Sequence, residues 1–313
     1  MTFVETIRVA LFVAIVIVVY LYAGRTLIAI LGGSIKKSWK THALFAVAVV
    51  GTLCMLYGRL VEPYWLDITH VSIPNPKIPR GGRLRIALIS DVHSDPAARL
   101  EDRLPAAMAA EHPDLIVFTG DSINSPEGLP VFKGLLQKLR EIAPTFVVKG
   151  NWDAWYWGYL GLFEGTGAVE LDGSARVLEI RGIKIGISGV AMRNEKSLDR
   201  ALAGIPSDAL SVFLYHSPDF IKDVAARNVD LYCAGHTHGG QVALPGYGAL
   251  VTFSKFGKQY EAGLYHEGKT FLYVNRGIGM EGGNVPRVRF WARPELTVID
   301  VVPEAALPNG KRY

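Results

Sequence analysis

Cysteine is nearly absent from this chain, with Cys54 and Cys233 the only two in 313 residues, each inside an apolar run. That excludes a disulfide framework and a structural zinc site built on thiolates. An excess of one charge is missing too. Thirty-three Lys and Arg stand against 29 Asp and Glu, a net charge of +4. No basic block of the kind that tracks phosphates occurs, so no nucleic-acid partner is expected. Internal repeats and low-complexity segments are also lacking. The longest gaps in charge lie at the front. Val9–Gly24 carries no charged side chain, Arg25 interrupts, apolar residues continue through Ile35, and Thr41–Gly58 is again free of Lys, Arg, Asp and Glu.

Each front tract approaches the roughly 20 residues that a spanning helix needs. In Val9–Gly24 the apolar side chains surround the helix instead of forming a stripe, which disfavours a core helix. No small-residue cleavage pattern follows cleanly, and a second apolar segment comes next, which disfavours a signal peptide. Residues 1–58 therefore read as a membrane anchor of two transmembrane helices, with the lipid bilayer of the cell membrane as partner. The connection carries Arg25, Lys36, Lys37 and Lys40, against Arg8 and Glu5 before the first helix. Positive charge favours the cytoplasmic side, which puts the remaining domain outside the cytoplasm. Residues 59–82, with Pro63, Pro74, Pro76 and Pro79, read as a connector, and 303–313 as a tail.

From 83 to 302, short apolar runs alternate with amphipathic segments. Strands are expected at 84–90, 114–120, 145–150, 211–216 and 231–235, with a β-rich pair over 175–190. Further strands are expected near 249–254, 261–265, 270–275 and 296–302, and helices at 98–111, 129–142 and 219–228. This alternation predicts an α/β domain whose sheets are covered by helices.

The informative residues stand at the strand ends. After 84–90 come Asp91 and His93; after 114–120, Asp121; after 145–150, Asn151; the last two lead to His216 and to His236 and His238. The carboxyl ends of strands in open α/β sheets gather around a ligand crevice. Residues two apart in Asp91-Val92-His93 and His236-Thr237-His238 point to one side of an extended segment. A single His at a strand end is more often a satisfied polar group, and Asp121 alone reads as a turn or cap. Such readings would have to coincide at five strand ends. Nitrogen and oxygen donors without thiolate suit Mn, Fe or Zn.

Asp91-Val92-His93, Gly120-Asp121, Gly150-Asn151, His216 and Gly235-His236-Thr237-His238 resemble, in order and spacing, the calcineurin-like metallophosphoesterases. Gly235–Gln241 and Asn275–Gly279 resemble the membrane-associated branch, which includes UDP-diacylglucosamine hydrolases of lipid A synthesis. The resemblance implies a β-sandwich flanked by helices and two divalent metal ions, with manganese foremost. It implies that Asp91, His93, Asp121 and His238 hold one ion. Asp121, Asn151, His216 and His236 would hold the other, with Asp121 bridging. Such a pair clamps phosphoryl oxygens and activates water.

Family members usually carry His after the Asn; here it is Trp152, and indole cannot transfer a proton at useful pH. General acid assistance is worth about 10²–10⁴ in rate. Its loss tilts the substrate toward phosphate anhydrides, whose leaving groups need least help, and Asp95 is a candidate to replace the acid. The expected substrate is a phosphorylated small molecule or lipid, with UDP-diacylglucosamine as the named candidate. A membrane-bound nucleotide phosphodiesterase and a weakly active metal-binding scaffold remain as alternatives.

Overall fold

The computed structural model describes residues 2–281 and 287–304. Helix α1 (Phe3–Leu31) and helix α2 (Trp39–Leu60) come first. Their apolar side chains are largely exposed, and both are long and apolar enough to cross a membrane. Thr2 caps α1 and Ser38 caps α2, each bonding the backbone three residues on. The Tyr20 hydroxyl donates to the Ala48 carbonyl at 2.9 Å and ties the pair together. Arg25 lies within α1 and not in the connection, because the helix runs on to Leu31. The turn between the helices holds Lys36 and Lys37, while Lys40 is in the first turn of α2.

Strand β1 (Asp67–Asn75) is next, inside the segment expected to be a connector. It pairs in parallel with the last strand and forms the edge of a sheet. An edge strand tolerates Pro74, which has no N–H to donate. Then come β2 (Leu84–Ile89), α3 (Leu104–Ala110), β3 (Leu115–Phe118), α4 (Leu129–Ile142) and β4 (Thr145–Val147). α3 is shorter than the 98–111 expected. The Glu101 carboxylate takes the backbone N–H groups of Arg99 and Leu100, holding that stretch in a turn, and Pro105 then suits a helix start.

The chain continues through α5 (Asn151–Trp155), β5 (Val169–Glu170), β6 (Ser174–Ile180), β7 (Ile183–Gly189), α6 (Leu198–Ala203) and β8 (Leu210–Leu214). Then come α7 (Ile221–Ala225), β9 (Leu231–Ala234) and a two-residue ribbon of β10 (Ala243–Leu244) with β11 (Gly248–Ala249). The strand expected near 249–254 stops at Ala249. Beyond it, the donors of Thr252 turn to the Glu5 carboxylate and Phe253 has φ 54°. β12 (Gly263–Glu267), β13 (Thr270–Val274) and β14 (Glu295–Pro303) complete the chain.

Two mixed six-stranded sheets result, in the orders β1-β14-β2-β3-β4-β5 and β12-β13-β9-β8-β7-β6. Alternation along the strands builds the layers. Ile86, Leu88 and Val117 of the first sheet face Ile185, Val212 and Leu214 of the second and fill the space between them. Their neighbours Ala87, Ile89, Ile116 and Phe118 point outward onto Met108 of α3 and Phe132, Leu136 and Leu139 of α4. On the far side Phe213, Tyr232 and Leu272 meet α6 and α7. Burial on both faces is why these strands read as continuous apolar runs.

The helix pair docks on the domain at two places. Glu5 of α1 accepts from Thr252, at 2.8 Å from its N–H and 3.0 Å from its hydroxyl. At the end of α2 the Gly58 carbonyl accepts the Arg289 N–H at 2.9 Å, and Tyr57 meets Phe290 edge-on. Just beyond, Glu62 accepts the Ala292 N–H at 2.6 Å.

Candidate metal centre

The carboxyl ends of β2, β3 and β4 in one sheet and β8 and β9 in the other open onto a common point. Asp91, His93, Asp121, Asn151, His216 and His238 are buried there, and His236 is half-buried. Two triads able to hold a cation are present: Asp91, His93 and His238, and Asp91, Asp121 and His216. His238 Nε2 lies 3.2 Å from Asp91 Oδ1, and His216 Nε2 lies 3.2 Å from Asp121 Oδ2. The triads overlap at Asp91. Asp121 nonetheless reaches toward both, because Oδ2 is also 3.7 Å from His93 Nε2. His236 Nδ1 approaches His216 Nε2 to 3.1 Å.

The backbone is shaped for this convergence. Asp91, His93, Asp121, His236 and His238 all have left-handed φ, between 44° and 73°. Each such residue costs about 1–3 kcal/mol unless its surroundings enforce it. Glycines precede the clustered residues for a steric reason. A Cβ on Gly150 would collide with the Asp121 carboxylate, and one on Gly235 with Asp91 and Ser90.

Hydrogen bonds fix which atoms face the centre. His216 Nδ1 donates to the Thr119 carbonyl at 2.8 Å, and His93 Nδ1 donates to Asn124 Oδ1 at 3.1 Å. In the neutral form each ring would therefore turn an unprotonated Nε2 toward the carboxylates. Asp121 Oδ1 accepts the Trp152 backbone N–H at 2.8 Å, and both Asp91 oxygens accept the His236 N–H. Among the described residues, His93 Nε2, Asn151 Oδ1 and His238 Nδ1 are buried with no hydrogen-bond partner. Buried polar atoms in folded proteins are rarely left unpaired. Orphaned donor atoms beside two carboxylates fit a divalent cation in nitrogen–oxygen coordination.

The electrostatics agree with this donor set. Burial favours a neutral Asp91, but His238 and His216 outweigh it and hold the carboxyl well below the usual range. At Asp121 burial dominates, offset in part by His216, and raises the carboxyl to about 6. Burial opposes charge on His216 as well, yet Asp121 and Asp91 push it up to about 9. Burial and the neighbouring imidazoles lower His93, and burial and His216 lower His236 to about 3. Both rings are neutral near pH 7, with lone pairs available.

Trp152 and Asp95 stand differently. The Trp152 ring packs edge-on against His93, centroids 5.3 Å apart, and its indole N–H approaches Glu281 Oε1 at 3.4 Å. Asp95 turns to Arg287, Arg99 and the Asn124 amide. It makes no hydrogen bond or ion pair with the His–Asp cluster among the described residues, although Asn124 links it to His93. Arg276 pairs with Asp67 and Glu295, a structural role. Of the nearby aromatics, Trp157 donates to the Ile123 carbonyl at 3.0 Å, while Trp155, Tyr156 and Tyr159 are exposed.

Sequence reasoning missed Asp153. This fully buried carboxylate accepts the backbone N–H groups of Asp121, Ser122 and Gly150, each at 2.9 Å. It binds the loop after β3 to the loop after β4. The only sequence signal was an Asp two residues past Asn151, which also reads as an ordinary acid in a helix first turn. Asn124 was missed as well, since nothing in the sequence joins it to His93.

A model of the calcineurin-like phosphoesterase family matches residues 84–240. The chain is 34% identical over 254 residues to YkuE of Bacillus subtilis (strain 168), described as an uncharacterized metallophosphoesterase, covering 77% of this chain and 87% of that one. It is 27% identical to the phosphodiesterase YaeI of Escherichia coli (strain K12), over 79% of this chain and 92% of the other. It is also 28% identical to a Bos taurus transmembrane protein with a metallophosphoesterase domain, over 85% and 64% respectively.

Proposed function

The chain belongs to the calcineurin-like phosphoesterase family, and from that premise we propose a membrane-anchored phosphohydrolase with a dinuclear centre. Asp91, His93, Asp121 and His238 form one site in this reading. Asp121, Asn151, His216 and His236 form the other, with Asp121 bridging. The observation that carries it is the convergence of both sheets on one point where His93 Nε2 and Asn151 Oδ1 have no hydrogen-bond partner among the described residues.

Divalent ions held by these residues would supply Lewis-acid polarisation of phosphoryl oxygens and lower the pKa of water. The protein's own part is to hold donors in place. Asp153 fixes the Asp121 and Asn151 loops, Thr119 and Asn124 set the ring tautomers, and Asp91 anchors the β9 loop through the His236 N–H. With indole in place of an acid next to Asn151, the arrangement favours substrates whose leaving groups need no proton. We therefore place phosphate anhydrides and activated diesters ahead of alkyl phosphates.

Helices α1 and α2 are read as the anchor, supported by their length, apolar exposure and a relative whose name records a transmembrane protein. An anchored site favours a lipid-linked pyrophosphate, with UDP-diacylglucosamine as the named candidate. The test uses full-length protein in detergent. Chelator should abolish turnover of an aryl phosphodiester and Mn²⁺ should restore it; turnover indifferent to chelator contradicts the reading. Acylated and deacylated forms of one pyrophosphate then separate the lipid substrate from a soluble one. Equal efficiency on both removes the lipid and leaves the hydrolase.

A further inference from the structure

The anchor and the domain meet on one face, and that face is aromatic. The first turn of α1 is fixed by Glu5 to Thr252, and the end of α2 by Gly58 to Arg289. Both helices therefore leave the domain from the same side, in a fixed direction. Around these two points stand Tyr247, Phe253 and Trp291, which are 44%, 42% and 63% exposed. Exposed apolar side chains gathered in one patch mark an interaction surface more often than single ones do. Cations accompany them. The Arg8 guanidinium lies 5.8 Å and the Lys258 ammonium 4.4 Å from the Tyr247 ring centre, and Arg293 stacks on Trp65 at 4.2 Å.

We propose that this face is seated in the lipid–water interface, with Tyr247, Phe253 and Trp291 among the headgroups of an anionic bilayer. The proposal rests on the anchor reading above. A helix that begins its uncharged run at Val9, directly after Arg8, brings the bilayer surface to the level of Tyr247. Trp and Tyr with Lys and Arg are the side chains that favour that depth, with ring in the apolar boundary and polar tip in water. Arg8 and Lys255 supply charge that anionic headgroups match, while Lys258 is paired with Glu261 at 2.6 Å and Arg293 lies 3.9 Å from Asp67.

A cavity of about 390 Å³ is lined by Leu244, Tyr247, Trp291, Gly239 and Arg276. Trp155 comes after β4, four strands across the first sheet from β1. That is about 19 Å at about 4.8 Å per strand.

Full-length protein is reconstituted into phosphatidylcholine–phosphatidylglycerol vesicles whose acyl chains carry bromine near the carbonyl end. Subtracting the fluorescence of Trp291→Phe from that of the unaltered chain isolates Trp291, and Trp155→Phe isolates Trp155. The expected result is loss of most of the Trp291 intensity and none of the Trp155 intensity. An unquenched Trp291, or equal quenching of the two, overturns the proposal. Flotation of the same vesicles after an alkaline wash reports the anchor separately. Failure to float removes the anchor reading and this one with it. Flotation with an unquenched Trp291 removes this one alone.

Discussion

The two sheets bring different atoms to the same point. The first supplies the carboxylates of Asp91 and Asp121, the Asn151 amide and one imidazole, His93; the second supplies imidazoles only, from His216, His236 and His238. They also hold their residues differently. In the first sheet a buried carboxylate, Asp153, gathers three backbone N–H groups and so fixes the spacing of two loops. In the second, His216 is pinned to a carbonyl of the first sheet and the His236 backbone to a carboxylate of the first sheet. The centre is thus a property of the packed sandwich. Neither sheet has a complete donor set, and each orients the other's.

That interdependence is broken most directly by removing one donor from each side. Asp121→Ala and His216→Ala should each lower kcat/KM on an aryl phosphodiester by about three orders of magnitude or more, with the double variant little worse, as for groups that act as a unit. Steady-state kinetics with saturating Mn²⁺ checks this, and effects that multiply would show the sheets acting independently. Asp153→Asn keeps the shape but turns an N–H toward the loops. Metal affinity should fall about 10–100-fold, the usual scale for a residue that orients ligands. Isothermal titration measures it.

Proton release sharpens the electrostatic side. His216, held up to about 9 by Asp121 and Asp91, is charged in the metal-free protein at pH 7, and a ligand must be neutral. Metal uptake should release a proton at pH 7, and affinity should drop by about tenfold for each pH unit lost per proton released. Titration heats that do not vary with buffer ionisation enthalpy would contradict the assignment.

Away from the ligands the effects are smaller. Trp152→His should raise turnover of alkyl esters about tenfold, the gain shrinking toward zero for anhydrides, because only poor leaving groups need the proton. Equal gains across leaving groups would show that Trp152 does not occupy the acid's place. Glu5→Ala strands the Thr252 donors at a cost of about 1–3 kcal/mol. It should lower the melting temperature while leaving kcat on a soluble ester unchanged.

Much of the fold and the donor set is legible in the sequence, for physical reasons. Strands buried on both faces announce themselves as apolar runs, so the polar residues ending them stand out. Helix α4 has the bounds its amphipathic pattern predicts. β1 is hidden because Pro74 suits a sheet edge as well as a loop, and the docking of α1 and α2 depends on pairs far apart in the chain. Left-handed φ at five clustered residues leaves no mark when the residue is Asp or His. Asp153 is invisible for a related reason: its partners are backbone N–H groups, which have no sequence identity.

Metal content per chain tests the central claim most directly. Full-length protein, stripped with chelator, reloaded with Mn²⁺ and freed of excess, should contain two ions, one for each overlapping group of donors, and regain activity in proportion. Asp121→Ala, prepared alongside, should hold fewer and recover none. Full activity with no bound ion, or equal metal content in the two proteins, would contradict a centre built jointly by the two sheets.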